Sequence, residues 1–271
     1  MTVFLIAVNL AVFVWQLTLP SDGYSSPEFR RLAVPETDRA VLEYGAIPYR
    51  LTHPGDQCAV GVGVGTGQQP HTEVVCEGTV AYDEAVALQR QGAPFAPLDA
   101  VSWWVTLFTS MFMHAGLLHF GFNMLFLWIF GNNVEDSMGR PRFLLFYLLA
   151  GIAAAYSQAL LDTSGTTPAI GASGAIAGVL GGYLLLYPRA RVLTVIFVIF
   201  FVTLIEVPAT IMLGVWFLLQ FIPAVGQFAT PDVATSGGGV AYFAHVGGFI
   251  FGLAAIRLFA NRYRGSPALP V

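Results

Sequence analysis

Apolar residues fall into long, nearly uninterrupted blocks along most of this chain. Six of these blocks approach or exceed the length that a helix needs to cross a bilayer, which is about 20 residues for a ~30 Å hydrocarbon core. The blocks cover roughly residues 3–19, 116–133, 142–161, 171–187, 207–223 and 241–260. The pattern therefore predicts an all-α polytopic membrane protein with six transmembrane helices.

A long polar segment, about residues 20–100, separates the first apolar block from the second. It holds most of the acidic residues and both cysteines. We expect one membrane domain over residues 1–264, in which this segment is a loop insertion, followed by a short tail at 265–271. The first block lacks a positively charged start and a small-residue cleavage site, so it is expected to be a retained span.

The apolar stretch from Val192 to Ile222 is too long for a single span. Its 31 residues would form a helix of about 46 Å. The sequence Glu206-Val207-Pro208 is the expected break, because proline suits the first turn of a helix and a carboxylate is costly at the bilayer centre. The fifth span should therefore follow Glu206. The β-branched stretch before it is expected at the cytoplasmic face, buried or interfacial.

Composition and charge support this interpretation and set an orientation. The chain is 56% hydrophobic and 10% charged, whereas a soluble domain carries about 25% charged residues. Arginines gather in the connections and the end that lie on one side of a six-span topology: Arg140, Arg142, Arg189, Arg191, Arg257, Arg262 and Arg264. The positive-inside rule predicts cytoplasmic termini and an extracytoplasmic loop 20–100. The compact six-span plan fits a plasma membrane of bacterial type. The chain has neither a basic stripe nor a nucleic-acid-binding motif, so no nucleic-acid partner is expected.

Four polar residues interrupt the apolar spans. His119 and Asn123 are four residues apart and share a helix face, Ser173 opens the fourth span, and His245 lies near the start of the sixth. Polar groups inside spans tend to face the bundle interior and to mark function. Because spans two, four and six run in the same direction, all four residues are predicted in the outer third of the membrane.

Small residues at intervals of four predict that spans four and six pack closely. The glycines concerned are Gly174, Gly178, Gly248 and Gly252. Such faces let two helix backbones approach each other. The approach should bring the Ser173 hydroxyl within ~2.6–3.2 Å of a His245 nitrogen, as in a nucleophile and its base.

Each of these features also has a structural explanation. The serine can be a packing residue, and the histidines and Asn123 can form hydrogen bonds between helices. Their combination at one depth favours a site like that of a serine protease. Backbone amides at Ser173, with His119 and Asn123, would then bind a developing oxyanion. Asp232, in the preceding loop, could in principle orient His245, although a solvated loop acid is the favoured interpretation.

The two cysteines, Cys58 and Cys76, lie in the predicted extracytoplasmic loop. An oxidising compartment favours a disulfide, worth about 3 kcal/mol at this loop length. The alternatives are two free thiols, or a zinc site with His53 and His71, although the spacing matches no zinc pattern.

Four motifs together resemble the rhomboid family of intramembrane serine proteases: HAGLLHFGFN at 114–123, GNNVEDSMG at 131–139, GASGAIAG at 171–178 and AHVGGFIFG at 244–252. The resemblance implies a six-helix rhomboid-like bundle and a Ser–His dyad without a cofactor. Ser173 is the implied nucleophile and His245 the general base. His119, Asn123 and the Ser173 amide are the implied oxyanion hole. The implied substrates are single-pass or other helical membrane proteins, cleaved in the lipid bilayer near its outer face.

The sequence departs from the family pattern at two notable positions. Trp104 stands where many members have arginine, and Ala177 stands where many have an aromatic residue that stacks on the base. Two other functions remain open: a rhomboid-like protein that binds membrane clients without cutting them, and a small transporter. The substrate gate is expected at span five or in the loop 224–240, which contains three consecutive glycines at 237–239.

Overall fold

The computed structural model describes residues 1–63, 71–198, 201–229 and 240–261. In chain order, the helices and strands are α1 (Thr2–Thr18), α2 (Pro27–Arg31), α3 (Glu36–Tyr44), α4 (Pro48–Thr52), β1 (Cys58–Gly63), β2 (His71–Cys76), α5 (Val80–Arg90), β3 (Ala96–Pro97), α6 (Trp103–Thr109), α7 (Leu117–Met138), α8 (Arg140–Leu161), α9 (Ser173–Leu186), β4 (Arg191–Val198), β5 (Phe201–Pro208), α10 (Ala209–Ala229) and α11 (Tyr242–Phe259).

A helix occupies each of the six apolar blocks. Four of these helices, α7, α8, α10 and α11, are long and apolar enough to cross a membrane. The other two, α1 and α9, have 17 and 14 residues. At 1.5 Å per residue, α9 is about 21 Å long, which is less than the ~30 Å hydrocarbon core. The chain is therefore a largely helical membrane protein, and the count of six spans stays a prediction.

The chain folds into two compact units. One contains residues 1–4, 122–157 and the described part of 173–271, and the other contains residues 5–121 and 158–172. The first unit holds the helices α9 to α11 and most of α7 and α8. The second unit holds the long polar segment.

Helix α9 lies at the centre of the first unit. Every residue from Gly174 to Tyr183 is buried. Large side chains of α7 and α8 in the same unit are fully buried too, among them Leu127, Phe130, Phe143, Phe146 and Tyr147. By contrast, α10 exposes many large apolar side chains, as expected of a helix whose outer face meets lipid.

Glycines allow α9 and α11 to pack backbone against backbone. A Cβ atom on Gly248 would overlap the carbonyl oxygen of Gly174, and one on Gly252 would overlap that of Gly178. Gly181, which sequence reasoning did not single out, has the same relation to Phe249. On Gly174 itself, a Cβ would instead strike the Ala154 side chain of α8, at 2.7 Å. Gly174 therefore lets α8 pack close to its Cα atom and lets α11 pack close to its carbonyl oxygen.

The segment before α10 forms an antiparallel β-hairpin of β4 and β5, with Arg191 opposite Pro208. The predicted break is correct, because β5 ends at Pro208 and α10 begins at Ala209. Of the two positions expected for this stretch, buried or interfacial, burial within the protein is contradicted and the interfacial position stays a prediction. Leu193 is 63% exposed and Leu204 is 60% exposed. Since β-branched and aromatic residues favour strands, the composition of VLTVIFVIFFVT explains the hairpin.

The second unit contains a small α/β arrangement, so the prediction of an all-α chain is incomplete. Its antiparallel sheet has the order β2-β1-β3. Alternate residues of β1 face opposite sides. Cys58 and Val60 join a core with Phe29 and Ile47, whereas Ala59 packs against α5.

Cys58 lies directly opposite Cys76 in the register of β1 and β2, and the two form a disulfide. Direct cross-strand neighbours are close enough for this bond. The two cysteines are therefore neither free thiols nor zinc ligands in this structure.

Candidate active site

The segment that leads into α9 is held by backbone hydrogen bonds within the second unit. Ala169 exchanges two backbone hydrogen bonds with Ala46, at 2.9 and 3.0 Å. The Gly171 N–H donates to the Ser110 carbonyl at 2.8 Å. Gly171 has a φ of +125°, a conformation that residues with a Cβ rarely adopt. These constraints fix the backbone conformation of the segment that precedes α9.

The Ser173 hydroxyl and the His245 imidazole are hydrogen-bonded. Ser173 Oγ lies 2.7 Å from His245 Nε2, and both side chains are half-buried. Ser173 is the first residue of α9, and His245 lies in the first turn of α11. With its proton on Nδ1, a neutral imidazole accepts the serine proton at Nε2. This arrangement is that of an oxygen nucleophile next to a base.

A third side chain, Gln220 of α10, completes a chain of hydrogen bonds. Its Oε1 lies 2.8 Å from His245 Nδ1. Sequence reasoning missed this residue. The acid that it weighed for this role, Asp232, lies outside the described residues. The sequence does single out Gln220, because it is the only amide side chain in the apolar run from Ala209 to Pro223.

Helix α10 also brings an aromatic ring to the imidazole. The ring centroids of Trp216 and His245 are 6.0 Å apart, with an interplanar angle of 37°. Trp216 and Gln220 are one helical turn apart and so share a face of α10. Ala177, the position from which the resemblance leads one to expect an aromatic partner, is fully buried within α9. The aromatic contact with the histidine is therefore made from a different helix.

The two predicted oxyanion-hole residues both lie on α7. Asn123 is buried. His119 is half-buried in the first turn, where its Nδ1 is 3.5 Å from the Ala115 amide nitrogen and its ring meets His114 edge to face. Their role as oxyanion donors stays a prediction.

His114, which precedes α7, has a feature that sequence reasoning did not identify. It is 2% exposed, and the side chain of Gln16 bonds its backbone through both the N–H, at 2.9 Å, and the carbonyl, at 3.1 Å. Burial, followed by the proximity of His119, lowers the pKa of His114 to about 4. The ring is therefore neutral at physiological pH. Its Nδ1–H then donates a hydrogen bond to the Phe112 carbonyl, at 3.2 Å.

Comparison with known proteins assigns most of the chain to one family. The family model for the Rhomboid domain matches residues 101–262, which is more than half of the chain. This range includes both residues of the hydrogen-bonded Ser173–His245 pair.

Individual relatives agree. Rhomboid protein 1, mitochondrial, of Saccharomyces cerevisiae is 31% identical over 159 residues, which cover 57% of this chain and 42% of the relative. Rhomboid protease GluP of Bacillus subtilis is 42% identical over 93 residues, which cover 34% of this chain and 18% of the relative. Presenilin-associated rhomboid-like protein, mitochondrial, of Bos taurus is 28% identical over 153 residues, 53% of this chain and 35% of the relative. The matches thus span less than half of each relative.

Proposed function

Because this chain belongs to the rhomboid family, we propose that it is an intramembrane serine endopeptidase that works through a Ser–His dyad. One observation carries the proposal: the 2.7 Å hydrogen bond between Ser173 Oγ and His245 Nε2. The two groups come from different helices and are separated by 72 residues. A packing serine does not require an imidazole at this position, whereas a nucleophile does.

In the proposed mechanism, His245 Nε2 takes the proton of Ser173 as Oγ attacks the carbonyl carbon of the scissile peptide. The tetrahedral oxyanion would be stabilised by the backbone N–H of Ser173, at the open start of α9, and by His119 and Asn123. The imidazolium then protonates the leaving amine, and an acyl-enzyme remains. Water, deprotonated by His245, hydrolyses the ester and restores the serine. The mechanism needs no cofactor.

The proposed substrates are single-pass or other helical membrane proteins. A peptide carbonyl in a helix is engaged in a hydrogen bond four residues along, so the substrate must unwind before it can be attacked. Small or helix-destabilising residues near the cleavage site should favour this step. The proposed setting is a six-span topology in a plasma membrane, with cytoplasmic termini and the site near the outer face. The triple glycine at 237–239 of the proposed gate lies outside the described residues.

Covalent labelling tests the proposal. A fluorophosphonate probe should label the detergent-solubilised protein, and Ser173→Ala and His245→Ala should each abolish labelling. Ser157→Ala is the matched control, because the Ser157 hydroxyl bonds the Ala153 carbonyl at 2.8 Å and packs against Gly247, close to the histidine. This control should label like the wild type. An unlabelled wild type that is folded and still binds membrane proteins would refute the protease and favour a client-binding protein.

A further inference from the structure

We propose that Gln220 is a positioning residue that holds His245 in the tautomer needed for catalysis. The inference rests on the proposed protease function. Gln220 does not touch the reacting atoms. It acts through the ring nitrogen that faces away from Ser173, with Gln220 Oε1 at 2.8 Å from His245 Nδ1.

The chemistry of the contact selects one tautomer. A carboxamide oxygen only accepts hydrogen bonds, so Nδ1 must carry the proton. In a neutral imidazole the proton on Nδ1 leaves a lone pair on Nε2, and Nε2 is the atom that meets Ser173 Oγ at 2.7 Å. The opposite tautomer would place an N–H on the serine oxygen, and the imidazole could not then accept the serine proton. The contact with Gln220 thus favours the reactive form.

A neutral acceptor also suits the surroundings. Three described side chains that meet the imidazole are Ser173 from α9, and Trp216 and Gln220 from α10. Helix α8 adds Ser157, which packs against Gly247. A carboxylate at this place would have to be buried in a membrane helix, where an ionised acid is costly. The amide supplies the hydrogen-bond acceptor without that cost.

The contact depends on the position of one exposed helix. The neighbours of Gln220 on α10 face outward, since Leu219 is 61% exposed and Ile222 is 65% exposed. Trp216 and Gln220 both face the imidazole. Helix α10 therefore meets the Ser–His pair through one aromatic ring and one amide, and its placement sets the orientation of the histidine.

Substitution of Gln220 should lower turnover with little effect on substrate binding. Gln220→Met keeps the side-chain length and removes the acceptor, which leaves the Nδ1 proton without its partner. We expect kcat to fall on the order of 10-fold to 100-fold, with KM unchanged within about 2-fold. Gln220→Glu retains an acceptor oxygen and should recover kcat to within about 10-fold of the wild type. Leu219→Met, on the adjacent exposed position, should behave as the wild type.

The tautomer itself can be measured independently of catalysis. In protein labelled with ¹⁵N-histidine and assigned with His245→Ala, the His245 signals should show a protonated Nδ1 in the wild type. In Gln220→Met they should show a mixture of tautomers. A protonated Nε2 in the wild type, or unchanged signals and kcat in Gln220→Met, would overturn the inference. If Gln220→Met does not fold, a protonated Nε2 in the wild type would still overturn it.

The outcomes separate this inference from the proposed function. A shift of tautomer in Gln220→Met without fluorophosphonate labelling of the wild type would refute the protease and leave the positioning contact intact. Labelling of the wild type with no change of tautomer would refute only the role of Gln220.

Discussion

The replacement of Gly252 by alanine tests whether the contact between α9 and α11 positions the Ser–His pair. The added Cβ would overlap the carbonyl oxygen of Gly178. This oxygen belongs to the helix backbone and cannot rotate away as a flexible side chain can. In Gly252→Ala, the two helices must therefore separate locally, or one of them must bend.

The magnitude follows from ordinary contact distances. A carbon atom and a carbonyl oxygen approach to ~3.3 Å, so relief of the overlap needs a displacement on the order of 1 Å. The distance from Ser173 Oγ to His245 Nε2 is 2.7 Å. An added ~1 Å would exceed the ~3.2 Å reach of a nucleophile and its base. Loss of general-base assistance costs about 100-fold or more. Because the helices can absorb part of the displacement, Gly252→Ala should react with the fluorophosphonate about 10-fold to 100-fold more slowly than the wild type.

The cost in stability is best measured against a second glycine. A Cβ on Gly214, in the second turn of α10, would meet nothing within 4 Å. Gly214→Ala should therefore gain the helix propensity of alanine, about 1 kcal/mol. Gly252→Ala should gain the same propensity but lose about 1–3 kcal/mol to overpacking. The difference between the two variants then isolates the steric cost.

The assay combines thermal unfolding in detergent with the rate of fluorophosphonate labelling. Gly252→Ala should unfold at a lower temperature than Gly214→Ala and label more slowly. Equal unfolding temperatures and equal labelling rates would refute the argument that the approach of these backbones sets the geometry of the site.

Three further predictions concern the second unit. Cys58→Ser should lower the free energy of unfolding of this unit by about 3 kcal/mol, because the disulfide to Cys76 closes a loop with a sequence separation of 18. Chemical denaturation of the oxidised protein measures this loss. The pKa of His114 is about 4 in the folded protein, so the unfolded chain binds this proton more readily. As the pH falls from ~6.5 to ~4, the free energy of unfolding should therefore decrease by about 3 kcal/mol. In His114→Gln that part of the pH dependence of unfolding should disappear. Gly171→Ala should cost about 1–3 kcal/mol through backbone strain, seen as a lower unfolding temperature than that of the wild type.

Much of the pairing of Ser173 with His245 could be predicted from the chain because it depends on local rules. Helical periodicity places Gly248 and Gly252 on one face of α11, and small faces let helices approach. What the pattern could not give is the detail of each contact. Gly181, outside the predicted interval, makes one of the close contacts with α11, and Gly174 also admits α8.

Two features escaped prediction for physical reasons. Gln220 is distant in sequence from the residues that it meets, and its partner depends on how α10 is rotated against α11, which periodicity does not specify. The hairpin β4–β5 escaped because its composition is as apolar as that of a span. In that stretch β-branched and aromatic residues favour strands, but the same residues also satisfy the hydropathy of a membrane helix.

The described side chain that meets His245 Nδ1 is the amide of Gln220, and an amide has an energetic advantage over an acid at this depth. A carboxylate hydrogen-bonded to the imidazole would stabilise the imidazolium. The carboxylate itself, however, would have to stay ionised at membrane depth in every state of the enzyme, which is costly. An amide oxygen gives the same direction of hydrogen bonding at a smaller cost in desolvation. The resulting base is weaker, so stabilisation of the oxyanion must carry a larger share of catalysis. In the proposed enzyme, variants at Asn123 should therefore lower kcat by more than Gln220→Met does, and the reverse order would contradict this division of roles.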